Sequence, residues 1–504
     1  MQIITAKQAA DVIKNDSAVA FNGFIMAAAA EEIIRGIEER FLNTGEPSGL
    51  TIVSSTSVGD AGKRGLNHLA HKGLIKRLIT GHLNLMPKLQ KMIVEESIEA
   101  YNFPQGVMSM LMRDIAGRRP GHITQIGLHT FVDPRISGGK LNARTKEDLN
   151  EIIQIGGKDY IRYKPFKVDY AVLRGTYSDA RGNISMGREA AWVDALSMAQ
   201  ACRASGGRVF VQVEKIVDAL SPHEVRLPSV LVDYVIPVSN PANHKQSANF
   251  NFNPAYVSED DSAEMDAKDM PTGERYIIAA RAANELMPGA VINLGIGIPE
   301  GIAQIAGQRG NGDFTLTVEA GGIGGYPMGG LDFGCTFKPE AILWQHQQFE
   351  YYHGGGLNQA FLGIAEVDPA GNINVSRFGP RVAGCGGFIC ITQSTPRLYF
   401  MGTFTAKGLK THTEGGRLVI DSEGSVKKFK KSVEQVTFSA NYARESGQQV
   451  LLITERCVFI LSEKGLLLTE IAPGIDLETH VLPYMEFTPV ISRELKLMDP
   501  EIFK

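Results

Sequence analysis

Asp179-Ala-Arg-Gly-Asn-Ile-Ser185 and Asp368-Pro-Ala-Gly-Asn-Ile-Asn374 are near copies of one heptapeptide, set in the two halves of a 504-residue chain. Each follows an apolar run, AVLRGTY before the first and AFLGIAEV before the second. In both halves an arginine opens another apolar run 29 residues past the aspartate, as Arg208-Val-Phe-Val and Arg397-Leu-Tyr-Phe. Equal spacing of this kind marks an internal repeat, and a repeat implies two related domains. A third pair lies upstream, SAVAFNGFIMAAAAEEIIRGIEERF (17–41) and GAVINLGIGIPEGIAQIAGQRG (289–310), each reading as strand, glycine turn and amphipathic helix. Its offset exceeds that of the heptapeptides by 83 residues, so the N-terminal half carries an insertion, which falls between Thr51 and Val168.

Strands rich in Val and Ile alternate with helical stretches at Ala27 to Phe41, Arg188 to Ala204 and Tyr276 to Glu285. That alternation is the pattern of an α/β fold with mainly parallel sheets. A single hydrophobic core stops growing near ~250–300 residues, which also calls for two domains. His244 to Gly273 is polar, rich in Asn and Asp and without either secondary-structure period. The expected division is therefore a domain over 1–243, a linker over 244–273 and a second domain over 274–504.

Composition narrows the functions. A net charge of −4 gives no broad basic surface, so nucleic acid is not the expected partner. The start MQIITAKQAADVIKND reads as a short strand and a helix rather than a signal peptide, and the near-apolar stretch Val19 to Ala30 is short of the ~18 residues of a membrane span. No membrane association is expected, and the location is read as cytoplasmic. Cys202, Cys335, Cys385, Cys390 and Cys457 are odd in number with no C-x-x-C pair, which suggests neither a disulfide framework nor a zinc ribbon. His346 and His353 are seven apart and no H-E-x-x-H occurs, so no metal site is proposed.

In open parallel sheets ligands bind beyond the carboxyl ends of the strands, which selects the loops to inspect. Asn293-Leu-Gly-Ile-Gly-Ile-Pro-Glu-Gly301 precedes a helix; it is open to a structural turn, to contact with an anion or cofactor, or to a dinucleotide, whose G-x-G-x-x-G spacing it lacks. Phe314 to Gly330 places Glu319 at the carboxyl end of a strand, followed by glycines that leave clearance for a nucleophile approaching a bulky acyl group. Val382-Ala-Gly-Cys-Gly-Gly-Phe-Ile-Cys390 reads as a tight turn or as an oxyanion hole of backbone N–H groups. Ala100-Tyr-Asn-Phe-Pro-Gln-Gly-Val107 sets Gln105 between Pro and Gly, which by itself reads as a turn.

Taken together these loops resemble the family I coenzyme A transferases, most closely the single-chain bacterial short-chain acyl-CoA type. The likeness runs along almost the whole chain through GLNHLAHKGLIKRLITGH, AYNFPQGV, HTFVDPRISGGKLN, RGTYSDARGNIS, INLGIGIP, VEAGGIGG, GNINVSRFG, AGCGGFI, MGTFTAKGL and EIAPGIDLETHVLPYM. The resemblance implies two related NagB/RpiA/CoA-transferase-like domains in a homo-oligomer, dimer or tetramer. It puts the family's catalytic glutamate on Glu319, its active-site glutamine on Gln105 and its glycine oxyanion donor on Gly387 or, one residue away, Gly386. CoA-contacting positions fall on Gly295, Gly297, Asn374 and Gly386. Cys390 stands where related enzymes carry Asn or Asp, a weaker brace for the turn.

The function so implied is transfer of CoA between short-chain carboxylic acids by a ping-pong route through a glutamyl-CoA thioester. CoA is then substrate and covalent intermediate, with no permanently bound cofactor. Acyl-CoA hydrolysis on the same scaffold and a non-catalytic metabolite sensor are the alternatives; an NAD(P)-dependent oxidoreductase is disfavoured by the glycine spacing.

Overall fold

Short runs of Val, Ile and Ala, too apolar to face water on either side, form parallel sheets covered by helices. In the computed structural model, which describes residues 1–258 and 270–504, the N-terminal half does this with eight strands. Their spatial order is Gln2–Ile3, Tyr234–Pro237, Arg208–Val213, Tyr170–Arg174, Ala18–Phe21, Leu50–Ser54, Ile75–Thr80, Glu99–Asn102. Every neighbouring pair is parallel. The direction of chain order reverses between Ala18–Phe21 and Tyr170–Arg174. The insertion is no appendage: it supplies strand Ile75–Thr80 and the edge strand Glu99–Asn102, the helix Gln105–Ala116, and a small antiparallel sheet of His122–Thr124, Lys158–Tyr163 and Asn150–Ile155.

Helix Glu31–Thr44 buries Ile33, Ile34 and Ile37, one stripe at helical spacing. It starts four residues later than the periodicity suggests, because Ile25 and Ala28 take left-handed backbone angles, φ 58° and 55°, which no right-handed helix accommodates. Likewise the expected helix from Arg188 begins only at Ala195, past Val193 at φ 51°. The third spans Gly273–Ala283.

The described residues gather into two compact units that are not contiguous in sequence. One holds residues up to 258 with Val318–Glu350 and Gly379–Cys390; the other holds those from 270 to 317 with Tyr351–Phe378 and Ile391–Lys504. Packing thus cuts across the division expected from the linear sequence, because two segments of the C-terminal half hydrogen-bond to N-terminal loops. Gln345 N donates to Val193 O at 3.0 Å, Lys338 N to Ala255 O at 2.7 Å and Gly386 N to Gly81 O at 2.8 Å. The stretch read as a linker also begins inside the first unit. Arg174 donates to Lys245 O at 2.6 Å, Gln246 to Arg188 O at 2.8 Å, and Tyr256 is buried. Residues 259–269 of that stretch lie outside the described residues.

The strands of the second unit run Phe314–Thr317, Ala290–Leu294, Gln359–Gly363, Arg397–Met401, Gln449–Ile453, Cys457–Ser462, Gly465–Ile471, Val490–Leu497. The first five are mutually parallel, as in the first unit, and Cys457–Ser462 pairs antiparallel to both its neighbours. Among the described residues no helix is long and apolar enough to cross a membrane.

The repeated heptapeptide forms the same turn in each unit. Asp179 accepts Asn183 N at 2.9 Å and Asn183 Nδ2 at 2.8 Å; Asp368 accepts Asn372 N and Nδ2, both at 2.9 Å. Gly182 and Gly371 share φ 92°, a left-handed angle that explains the retained glycine. Each asparagine then uses its Oδ1 on a distant N–H, Ser229 N in one unit and Ala440 N in the other. Asp179→Ala and Asp368→Ala should each leave these N–H groups without an acceptor and lower stability by about 1–3 kcal/mol. The urea midpoint of unfolding measures this, and an unchanged midpoint in either variant contradicts a structural role for the repeat.

Candidate active site

Three loops of the first unit converge beyond the carboxyl ends of neighbouring strands. Gly81 and His82 follow strand Ile75–Thr80, and Phe103-Pro104-Gln105 follows Glu99–Asn102. Asn102, fully buried, ties the two together through Nδ2, which donates to Thr80 O at 2.8 Å and Gly81 O at 2.7 Å. Its Oδ1 accepts Cys385 N at 2.8 Å and so captures the Gly-Cys-Gly-Gly turn. Gly386 then bridges both loops: its N–H donates to Gly81 O at 2.8 Å and its carbonyl accepts Gln105 N at 2.9 Å.

Glu319 stands in a turn two residues past strand Phe314–Thr317, closed by Val318 N to Gly322 O and Gly321 N to Val318 O, each 3.0 Å. The residue keeps part of its exposure, but Oε2 is buried and has no hydrogen-bond partner among the described residues. Burial therefore dominates its titration and pushes the carboxyl up to about 7, a glutamate's own backbone N–H pulling weakly the other way. Gly387 lies against it, since a Cβ there would stand 2.8 Å from Oε1. Gly387 is a buried residue whose N–H has no acceptor among the described residues, whereas that of Gly386 is committed to Gly81. Of the two glycines the resemblance left open, the one beside the carboxylate is the one with a free donor.

The glycines after Glu319 do something other than the clearance expected of them. A Cβ on Gly321 would overlap Leu343 O and one on Gly322 would overlap the Thr336 hydroxyl, so these residues let the hairpin of Gly322–Ile323 and Ala341–Ile342 close tightly. Room at the carboxylate comes from Gly387.

Gln105 is not a turn residue but opens helix Gln105–Ala116, with its side chain buried. Its Nε2 donates to Gln345 Oε1 at 3.0 Å. Gln345 Nε2 in turn donates to Ser109 Oγ and, at 3.0 Å, to Asp194 Oδ2, which also accepts Ser109 Oγ at 2.9 Å. Burial pushes the Asp194 carboxyl up to about 6, opposed by the hydrogen bonds from Ser109 and Gln345. Cys390, buried, takes the place of a bracing polar side chain: its sulfur receives the N–H groups of Gly106 and Val107 in the first turn of the same helix. Burial holds that thiol near 12, so it serves as a brace and not as a thiolate.

His82 was not singled out in sequence, yet its ring lies 3.4 Å from where a Cβ on Gly386 would stand. Burial, with Arg381 nearby, lowers it to about 4, so the imidazole is neutral at physiological pH. Its strand-end position was the available signal.

Gly295, Gly297 and Asn374 belong to the second unit. Gly295 and Gly297 follow strand Ala290–Leu294, with their N–H groups committed to Phe361 O and Glu300 Oε1, both at 2.8 Å. Their loop is open, Ile296 being 53% exposed, and exposed Arg275 brings a guanidinium nitrogen 4.0 Å from the place of a Gly297 Cβ. Asn374 is different. Nδ2 donates to Glu366 and to Arg377 O while Oδ1 accepts Ser376 N and Arg377 N, which saturates the amide and makes it a local brace rather than a ligand contact. Among the described residues no group of three His, Cys, Asp or Glu could hold a metal ion.

Residues 3–237 match the family described as Coenzyme A transferase. The chain is 42% identical to a caffeate CoA-transferase from Acetobacterium woodii over 100% of its length and 97% of that protein. It is 41% identical to the acetate CoA-transferase YdiF of Escherichia coli K12, over 99% of the chain and 95% of the relative. A crystal structure of acyl-CoA transferase YdiF from E. coli O157:H7, in a thioester complex with CoA, superposes with a TM-score of 0.93 at 40% identity, covering 100% of this chain and 96% of that one.

A carboxyl with a folded-state pKa near 7 and an unfolded value of 4.5 is favoured neutral in the fold. Its contribution is full below the unfolded value and is lost as pH rises through about 7. Glu319→Gln removes that loss, so the melting temperature of the variant relative to wild type should climb between pH 4 and pH 8. Thermal melts across that range measure it, and a difference that stays flat or falls contradicts the buried, unpartnered carboxylate.

Proposed function

The chain belongs to the coenzyme A transferase family, and on that premise we propose that it moves CoA between short-chain carboxylic acids with Glu319 as the carrier. The observation that carries this reading is the unpartnered Oε2 of Glu319 beside the uncommitted N–H of Gly387. An ionised carboxylate poorly solvated in this way is a stronger nucleophile than one in water, and an uncommitted N–H beside it is a candidate donor to the oxyanion.

The steps follow from that geometry. Glu319 attacks the thioester carbonyl of the donor acyl-CoA, and collapse of the tetrahedral oxyanion expels CoA thiolate and leaves an acyl-glutamyl anhydride. The thiolate attacks the glutamyl carbonyl, releases the donor carboxylate and forms the glutamyl-CoA thioester. An acceptor carboxylate then reverses the sequence: it displaces the thiolate, which attacks the new acyl carbonyl and frees Glu319. Gln105 Nε2 and Gly387 N–H donate to the successive oxyanions, and the burial of Oε2 limits access of water to the activated carbonyl. The enzyme is read as cytoplasmic and homo-oligomeric.

The caffeate CoA-transferase relative, at 42% identity against 41% for the acetate CoA-transferase, supports a second reading with an aryl acid as acceptor. A panel of acetate, propionate, butyrate and caffeate as acceptors separates the two, short acids being expected to exchange fastest. In the same assay free CoA should appear only in trace amounts without an added carboxylate; rapid carboxylate-independent release would mark a hydrolase and overturn transfer.

Gly387→Ala keeps the N–H but places a methyl within 2.8 Å of Glu319 Oε1. It should lower kcat by about 10²-fold, the cost of displacing a reacting atom. Transfer at the wild-type rate in a folded Gly387→Ala protein contradicts the assignment.

A further inference from the structure

Gln105 has a side-chain amide with two N–H donors on one end and a carbonyl on the other, and only one of its two flips presents a donor to a developing oxyanion. Nothing in the backbone decides between them. The decision is made further back in the buried chain that runs through Gln345, Ser109 and Asp194, all three lying in the first unit.

We infer that Asp194 and Ser109, acting through Gln345, are positioning residues that set the flip of the Gln105 amide for catalysis. The inference rests on the proposed role of Gln105 as an oxyanion donor. Asp194 Oδ2 accepts from both Ser109 Oγ and Gln345 Nε2, so the amino end of Gln345 points at the carboxylate. The carbonyl end of Gln345 consequently faces Gln105 and takes one hydrogen of its Nε2 at 3.0 Å. The second hydrogen on the same nitrogen has no partner among the described residues. In the reverse flip the Gln105 carbonyl would meet the Gln345 carbonyl, two acceptors without a proton between them, in a buried site where such a mismatch is costly.

The chain is itself anchored. Asp194 N donates to Asn22 Oδ1 at 2.9 Å, Asn22 Nδ2 donates to Trp192 O at 3.3 Å, and Gln345 N donates to Val193 O at 3.0 Å. Trp192 and Trp344, the two tryptophans of the sequence, sit beside Asp194 and Gln345 in the chain and pack with ring centroids 5.2 Å apart. Their emission reports whether the surroundings of the chain survive a substitution.

A double-mutant cycle in the full-length protein tests the inference. Gln345→Met removes the acceptor and should lower kcat about 10-fold, typical for loss of a group that orients a reacting one, with KM for acyl-CoA within about 3-fold of wild type. In a Gln105→Ala background, itself reduced about 10²-fold, the same substitution should cost less than about 2-fold, because nothing is left to orient. Ser109→Ala, a helix-favouring change in Gln105–Ala116, should give a smaller loss with the same non-additivity if Gln345→Met disturbs the tryptophan emission. Equal losses in both backgrounds, or none in the wild-type background while Gln105→Ala remains impaired, would overturn the inference alone. Full activity in Gln105→Ala would remove the oxyanion role of Gln105 and the inference with it.

Discussion

The arrangement depends on one residue's backbone. Gly386 donates to Gly81 O and accepts from Gln105 N, and these two bonds hold a turn from the C-terminal half against the ends of two N-terminal strands. Its φ of 53° is reached without strain by glycine, which fixes the direction of the next residue. Because the Gly386 N–H is committed, that of Gly387 is the one left over, and it is left over beside Glu319. Asn102, with two side-chain hydrogen bonds to the Thr80–Gly81 strand end and one to the turn, braces the bridge.

Around that bridge the surroundings are kept neutral. His82 is held uncharged by burial, Cys390 keeps its proton, and no ion pair reaches the buried Oε2 of Glu319 among the described residues. A carboxylate in such surroundings is destabilised when ionised, and in the proposed reaction attack on a carbonyl would relieve it by turning the charge over to an oxyanion. The same burial that weakens the fold at high pH raises the reactivity of the group. Stability and chemistry oppose one another at this residue, as is common where a site stores reactivity.

Much of this was legible in the sequence. The repeated heptapeptide disclosed two related halves, and its Asp and Asn side chains make the same hydrogen bonds in each. The strand-end rule pointed to the loops that carry Gln105, Glu319 and Gly387. Local reading failed where the cause was distant. The glycines after Glu319 looked like clearance for substrate, but Leu343 O and Thr336 are what they avoid. The polar segment from His244 looked like a linker, yet Arg174 and Arg188 hold its start. Asp194 and Gln345 carried no local signal, since the contact between them joins positions 151 apart in sequence. Helix starts were missed at Glu31 and Ala195 because left-handed residues interrupt apolar runs that otherwise keep helical spacing.

The central claim is that CoA rides on Glu319 as a thioester, and covalent trapping tests it most directly. The protein is incubated with acyl-CoA, reduced with borohydride, digested and mapped by mass spectrometry. The expected result is conversion of the Glu319 side chain to its alcohol, dependent on acyl-CoA and absent in Glu319→Ala. Reduction at another carboxylate, or an unmodified Glu319 in protein that is turning over, would contradict the account.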